Sequence, residues 1–82
     1  MGGLAKIISA KAIDEYTLFV HFSNDQTKKY NIKKLLDKPM FFPLKNHAFF
    51  KNFQIYPSGS GIVWNEEIDI SEYEIWINGT TD

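Results

Sequence analysis

The alternation of apolar and polar positions is clearest over residues 16–22. Leu18, Val20 and Phe22 lie on one face of this stretch, and the residues between them lie on the other. Strict alternation is typical of a half-buried β-strand. The polar run 23–26 that follows predicts a turn, because Asn and Asp side chains bond to their own backbone and tolerate left-handed φ.

A second strand over residues 27–30 completes a β-hairpin with this first one. Upstream, residues 4–13 carry apolar side chains at Ile8, Ala10 and Ala12, which is the spacing of an additional strand. The three segments together predict an antiparallel meander at the N-terminal end of the chain.

Short helices are indicated next. Asn31 can cap a helix over residues 32–36, where apolar residues recur at i, i+3 and i+4. Pro39 ends it. The apolar segment 40–44 between two prolines is too short to predict a regular element. Asn46 can cap a further helix reaching about Asn52, whose apolar side holds Phe49, Phe50 and Phe53.

The C-terminal third predicts a hairpin of strands 54–56 and 61–64 around a Gly-Ser loop. After a turn at 65–67, the segment 68–70 leads into a helix over Ser71–Asn78. Ser71 followed by Glu74 forms a capping box, and Gly79 is a helix-ending residue. A strand is the alternative there, because Tyr73, Ile75 and Ile77 alternate with polar or aromatic neighbours.

These elements predict an α+β fold, with one antiparallel sheet of about five strands (the meander plus the C-terminal hairpin) and short helices packed on one face. Residues 4–82 form a single domain in this interpretation. Residues 1–3, Met-Gly-Gly, are expected to be an unstructured leader or an expression-vector remnant.

The amino-acid composition is that of a folded domain, and it excludes several classes of function. The chain has 82 residues, of which 44% are apolar, and thirteen are aromatic. It has no cysteine, which excludes disulfides, thiolate metal sites and thiol catalysis. No apolar run is long enough for a membrane span, and no signal peptide is visible. We therefore expect a cytoplasmic protein that does not contact membranes.

Charge is distributed unevenly along the chain despite a net charge of −1. Residues 28–51 hold seven lysines and one acid, whereas residues 52–82 hold six acids and no lysine. The two segments either neutralise each other in the fold or form two surfaces of opposite sign, one of which meets a partner. All cations are lysine, which disfavours sequence-specific DNA reading, since arginine supplies the bidentate contacts.

No catalytic, cofactor-binding or metal-binding residues are predicted. The serines lie outside any nucleophile-elbow context, and His21 and His47 have no spacing that would form a zinc site. The Gly-Ser loop precedes a strand rather than a helix, unlike a phosphate-binding loop. The acids at 66–69 are interpreted as a solvated turn before a helix start. We therefore expect a protein that is not an enzyme.

Two interaction surfaces are candidates. Thirteen aromatic residues are many for so small a core, so some should be exposed at a protein interface. The candidates for protein binding are Phe41, Phe42, Trp64, Glu66, Glu67, Glu72, Tyr73 and Trp76. The alternative is nucleic-acid binding by lysines interleaved with aromatic residues, with the candidates Lys28, Lys29, Lys33, Lys34, Lys38, Lys45 and Lys51.

From about Lys6 onward the chain resembles the bacterial family catalogued as domain of unknown function 2442. The front half carries the expected alternating strand, the turn at Asn24-Asp25 and the step Tyr30-Asn31-Ile32 into a helix. The more specific matches are Leu44-Lys45-Asn46, Phe49-Phe50, Ser58-Gly59-Ser60-Gly61, Ile62-Val63-Trp64-Asn65 and Ile68-Asp69-Ile70. Members commonly continue with an Ala/Ser-Pro-x-x-Leu-Tyr segment, and the stretch 71–76 here lacks that proline.

The resemblance implies an α+β domain with an antiparallel sheet, no established enzymatic activity and no catalytic residues to carry over. Some relatives add a helix-turn-helix domain and look like transcription regulators. Others stand alone beside a small toxin-like protein, and this chain resembles the stand-alone class. The first hypothesis is thus an antitoxin-like or regulatory partner of another small protein. The alternatives are a weak nucleic-acid binder and a homodimer formed by edge strands.

Overall fold

A computed structural model describes residues 5–81 of the chain, so the predicted leader at residues 1–3 lies outside the described residues. Six strands and two α-helices occur in this part, together with two consecutive 3₁₀ helices between β3 and α1. The strands are β1 (Ile7–Ala12), β2 (Thr17–Phe22), β3 (Thr27–Asn31), β4 (Gln54–Ile55), β5 (Gly61–Val63) and β6 (Asp69–Ser71). The helices are the first 3₁₀ helix (Ile32–Asp37), the second 3₁₀ helix (Pro39–Lys45), α1 (His47–Phe50) and α2 (Glu72–Asn78).

The predicted N-terminal meander is confirmed as a three-stranded antiparallel sheet with the order β1-β2-β3. Asp25 adopts a φ of 67° in the β2–β3 turn, a conformation that Asp tolerates better than most residues. A register shift between Ile7 and Ser9 places a β-bulge near the start of β1.

The prediction of a single sheet is wrong, because β4, β5 and β6 form a second antiparallel sheet of three strands. The segment expected only to lead into the last helix supplies β6, which pairs with β5. Where the sheets meet, the Ile7 N–H donates to the Gly59 carbonyl at 2.9 Å. This hydrogen bond joins β1 to the β4–β5 loop, whereas the strands β4 and β5 pair within the second sheet.

One hydrophobic core lies between the two sheets and the helices. The core face of the first sheet contributes side chains that are fully or almost fully buried, and the rest come from the second sheet, the β5–β6 turn, both 3₁₀ helices, α1 and α2. The buried apolar residues are Ile7, Leu18, Val20, Phe22, Tyr30, Ile32, Phe41, Leu44, Phe50, Ile62, Ile68, Ile70 and Ile75.

The region between β3 and α1 is more regular than predicted. Asn31 caps as expected, since its side chain accepts from the Lys33 N–H at 2.8 Å, but the helix it starts is 3₁₀. The segment around 40–44, expected to be irregular, lies in the second 3₁₀ helix, which buries Phe41 and Leu44. That spacing of three matches a helix of three residues per turn. Pro43 lies inside this helix and has no N–H to donate, so the helix lacks one backbone hydrogen bond at that residue.

Residues 72–78 form a helix, so the alternative of a strand is excluded. The Ser71 hydroxyl accepts from the Glu74 N–H at 3.0 Å, as the capping box predicts. Gly79 ends the helix with a φ of −80°, which is not left-handed. Its hydrogen side chain is needed for space, because a Cβ there would lie 2.6 Å from the Ile75 carbonyl oxygen. None of the helices within residues 5–81 has the length and apolar character required to span a membrane.

Candidate interaction surfaces

The outer side of α2 presents an apolar stripe, which we call the α2 patch and define as Tyr73, Trp76 and Ile77. Their spacing of i, i+3 and i+4 places them on one face of the helix. Tyr73 is 57% exposed and Ile77 is 50% exposed. Ile75 points the other way, into the core, where it is fully buried. The helix therefore has one apolar side in the core and an outer apolar stripe, of which Tyr73 and Ile77 are left exposed by the fold.

Trp76 anchors this patch to the first sheet. Its indole ring meets the ring of Phe22 edge-on, with centroids 5.3 Å apart. The Lys28 ammonium also lies over this ring, 4.6 Å from the indole centroid, which is a cation–π contact. Trp76 is consequently half-buried, with its position fixed by the fold and part of its surface left to solvent.

The acids of the C-terminal segment do not form one exposed face. Glu72 is buried, and its carboxylate accepts from the Lys6 ammonium at 3.0 Å. Glu74 turns toward the first sheet, where it accepts from the Tyr30 hydroxyl. Glu66 and Glu67 remain exposed in the β5–β6 turn, where the Asn65 side chain accepts from the Glu67 N–H. Glu72 thus lies inside the fold, contrary to the expected acidic surface.

The other aromatic candidates divide between core and surface. Phe41 is buried in the second 3₁₀ helix, so it differs from the expected exposed aromatic. Phe42, next to it, is exposed, and the Lys45 ammonium lies 4.5 Å from its ring centroid. Trp64 is half-buried: its indole N–H donates to the Phe50 carbonyl at 2.7 Å, and its ring stacks on that of Phe50.

An open groove of about 510 Å³ runs beside Trp64 along the outer side of β4 and β5. Its lining is mostly amide and aromatic: Asn52, Gln54, Tyr56, Val63, Trp64, Asn65 and Glu66. The Tyr56 hydroxyl donates to Asp69 at 2.7 Å, and this hydrogen bond raises the pKa of Tyr56. Among residues 5–81, no group of three or more His, Cys, Asp or Glu side chains is arranged to hold a metal ion.

The lysines of residues 28–51 are distributed over several elements, from β3 to the end of α1. Four of them stand over aromatic rings, which are those of Trp76, Tyr16, Tyr30 and Phe42, and so their aliphatic stems cover apolar surface. Lys34 also lies 3.7 Å from the Glu74 carboxylate, an ion pair between the basic and acidic segments. The seven predicted nucleic-acid contacts are Lys28 and Lys29 on β3, Lys33 and Lys34 on the first 3₁₀ helix, and Lys38, Lys45 and Lys51 near helix ends.

Sequence reasoning missed one basic group. Phe19 in β2 has Lys11 of β1 and Lys29 of β3 as its cross-strand partners. The alternation already placed Phe19 on the outer face of its strand, away from the core-facing residues. What the sequence did not supply was the register, which brings a lysine from outside the basic segment beside one from within it.

The architecture defines a small α+β domain built from two three-stranded antiparallel sheets and short helices. The chain belongs to the family described as "Protein of unknown function (DUF2442)", which it matches over residues 7–79. No curated protein and no solved structure matches the chain.

Proposed function

We propose that this protein is a non-enzymatic binding module that docks another small bacterial protein on the α2 patch. The observation that supports this most directly is the exposure of Tyr73 and Ile77, one helical turn apart, beside a half-buried tryptophan. Aromatic residues are enriched at the centres of protein interfaces, where a partner removes them from water. Covering this patch would give α2 the second packing surface that its sequence provides for.

The surroundings of the patch indicate the chemistry of the partner. The Lys28 ammonium beside Trp76 is a cation at its edge, while Glu72 and Glu74 are engaged within the fold. A fitting partner presents an apolar surface next to a carboxylate, which would pair with Lys28. The charged group that this surface offers to a partner is therefore a lysine, not one of the acids of residues 52–82.

The antitoxin-like or regulatory role is part of this proposal. A small domain that holds a partner by one helix face needs no active site of its own, and it acts by covering the partner's functional surface. A small domain without cysteine suits a reducing compartment, so the proposal locates both proteins in the cytoplasm.

The test compares paired variants of the tagged protein expressed in its native host. Tyr73→Ser with Ile77→Ser removes the apolar surface of the patch. Ile8→Ser with Met40→Ser is the matched control, because both of those side chains are also exposed and lie on other elements. Captured proteins are identified by mass spectrometry, and the strongest candidate is purified so that its dissociation constant can be measured.

We expect one small protein near equal stoichiometry with the wild type and the control. The patch variant should bind the purified partner at least about tenfold more weakly, since hot-spot truncations cost about 2 kcal/mol or more. Equal affinity of the patch variant would refute the proposed surface. A partnerless wild type that is dimeric by light scattering would instead support self-association, which is the remaining alternative for this patch.

A further inference from the structure

The first sheet has one face in the core and one face in solvent. Leu18, Val20 and Tyr30 on the core face are fully buried. The opposite face, which we call the outer face of the first sheet, contains no buried residue. By the strand register it consists of Ser9, Lys11, Ile13, Thr17, Phe19, His21, Thr27, Lys29 and Asn31.

The centre of this outer face is an aromatic ring between two cations. Lys11 and Lys29 are the direct cross-strand neighbours of Phe19 on its two sides. Neighbouring strands lie about 4.8 Å apart, so the two lysine Cα atoms stand about 10 Å apart with the ring between them. Phe19 is half-buried, so part of its ring is exposed to solvent, and the lysine–aromatic contacts found within residues 5–81 involve other rings.

None of the nine residues that make up this outer face is acidic, and Lys11 and Lys29 at its centre have no carboxylate as a direct cross-strand neighbour. The nearest acids in the sequence are in the turns at its two ends, and Asp25 there lies 3.8 Å from the His21 imidazole. Beyond β3 the surface continues into a groove of about 360 Å³, where Thr80 pairs with Lys29 through the backbone. Amide, hydroxyl and ammonium groups line this groove: Thr17, Lys29, Asn31, Lys34, Asn78 and Thr80.

We infer that the outer face of the first sheet binds single-stranded nucleic acid, with one base stacked on Phe19 and the flanking phosphates held by Lys11 and Lys29. An aromatic ring on an open sheet is a platform for an unpaired base, and cations beside it follow the backbone. A nucleotide strand alternates flat bases with anionic phosphates. The cross-strand row Lys11, Phe19, Lys29 places a flat ring between two cations and so matches that alternation. A duplex keeps its bases stacked inside and offers no base to Phe19.

Binding is measured by fluorescence anisotropy of a short labelled oligouridylate at low salt, with a duplex of equal length for comparison. Phe19→Leu keeps an apolar side chain on the sheet but removes the stacking ring. Lys11→Gln with Lys29→Gln removes the two cations. The control, Lys38→Gln with Lys51→Gln, removes the same charge from exposed sites outside the first sheet. Circular dichroism verifies that each variant is folded.

We expect the wild type to bind the single strand more tightly than the duplex. Phe19→Leu should weaken binding about fivefold or more, because stacking of one base contributes about 1–3 kcal/mol. The Lys11/Lys29 variant should flatten the logarithmic salt dependence by about 1.4, at about 0.7 for each phosphate contact. The control should keep the salt dependence of the wild type. Its affinity should change only by the small effect of losing two positive charges.

Three results would overturn the inference. The first is no binding of the single strand at low salt. The second is equal weakening by the two lysine variants, which would indicate attraction by net charge alone. The third is that a glutamate-rich peptide displaces the labelled strand as effectively as an unlabelled oligonucleotide does. That result would make the surface a site for acidic proteins. None of these depends on the α2 patch, so this inference and the proposed protein partner fail or stand separately.

Discussion

The buried phenol of Tyr30 donates a hydrogen bond of 2.7 Å to the carboxylate of Glu74, and this bond fastens α2 to the first sheet. Tyr30 is 0% exposed, so its hydroxyl has no access to bulk water and needs a partner in the protein. Lys34 lies 3.7 Å from the same carboxylate and forms an ion pair with it. In a capping box the Glu74 side chain would bond to the Ser71 N–H, but here it serves a tertiary contact.

Removing either partner should destabilise the fold, but unequally. Tyr30→Phe deletes the donor and keeps the ring packing, so we expect the free energy of unfolding to fall by about 1 kcal/mol. Glu74→Ala leaves a buried hydroxyl unsatisfied and should cost more, about 2 kcal/mol. Urea denaturation measures both values. Tyr73→Phe is the control, because its hydroxyl is on an exposed side chain.

The double variant distinguishes a direct interaction from two independent effects. If Tyr30 and Glu74 act through their hydrogen bond, the combined loss is smaller than the two single losses added together. Additive losses would contradict the coupling and would assign the cost of Glu74→Ala to its contact with Lys34.

The same pair predicts how stability depends on alkaline pH. Burial, and then the hydrogen bond to Glu74, raise the pKa of Tyr30 well above the ordinary tyrosine value of about 10. The unfolded chain therefore loses the phenolic proton first. The stabilisation that results from the raised pKa of Tyr30 is fully present below about pH 10. It is lost progressively as the pH rises above that value.

Urea midpoints measured from neutral pH upward test this dependence. The wild type should lose stability faster than Tyr30→Phe above about pH 10, since only the wild type has this proton to lose from the unfolded state. The difference between the two proteins cancels the other tyrosines, including Tyr56, whose pKa is also raised. Parallel curves for the two proteins would mean that Tyr30 ionises normally in the fold.

Local signals in the sequence predicted much of this architecture. The alternation around Val20 identified β2 and its core face, and the caps at Asn31, Asn46 and Ser71 all accept backbone hydrogen bonds. These features depend on neighbours in the chain, so they are visible without the fold. The family resemblance is likewise confirmed over residues 7–79.

Features set by distant neighbours could not be predicted in this way. Alternation shows which face of a strand is buried but not which strand lies at its edge, so the division into two sheets was missed. The sequence alone predicts that Glu72 is a surface acid. Only the fold brings Lys6, 66 residues away, into contact with it. The outer face of the first sheet likewise depends on the cross-strand register, which joins Lys11 to Phe19.

In the ion pair between Lys6 and Glu72, replacing one partner should also cost more stability than replacing the other. The Glu72 side chain is 11% exposed and that of Lys6 is 53% exposed. Lys6→Met leaves a mostly buried carboxylate unpaired, and we expect a loss of about 2 kcal/mol in the free energy of unfolding. Glu72→Gln leaves a solvated ammonium and should cost about 1 kcal/mol or less.

Thermal and urea unfolding of these variants provide the measurement, with Lys51→Met as the control for removing an exposed lysine. Equal losses for the Lys6 and Glu72 variants would show that burial of the carboxylate does not set the cost. A loss for Lys51→Met as large as that for Lys6→Met would point to net charge instead.

Gly59 is the position where the two sheets tolerate no side chain. It is buried, its φ is +74°, and its carbonyl accepts from the Ile7 N–H. A Cβ at this position would lie 2.8 Å from the Cβ of Lys6 and 2.9 Å from the Ile7 carbonyl oxygen. We expect Gly59→Ala to lower the free energy of unfolding by about 1–3 kcal/mol, because the left-handed backbone and the steric contact both oppose the new methyl group.

The damage from Gly59→Ala should be greatest at the junction of the sheets. Amide exchange of Ile7 should accelerate more than that of residues in the centre of β2, since the bond to Gly59 opens first. Ser58→Ala is the matched control in the same loop, because Ser58 is exposed and its hydroxyl bonds only to Ser60. If both variants are equally stable and protect Ile7 equally, the junction adapts to a side chain, and the close packing of the β4–β5 loop against β1 is not what holds the two sheets together.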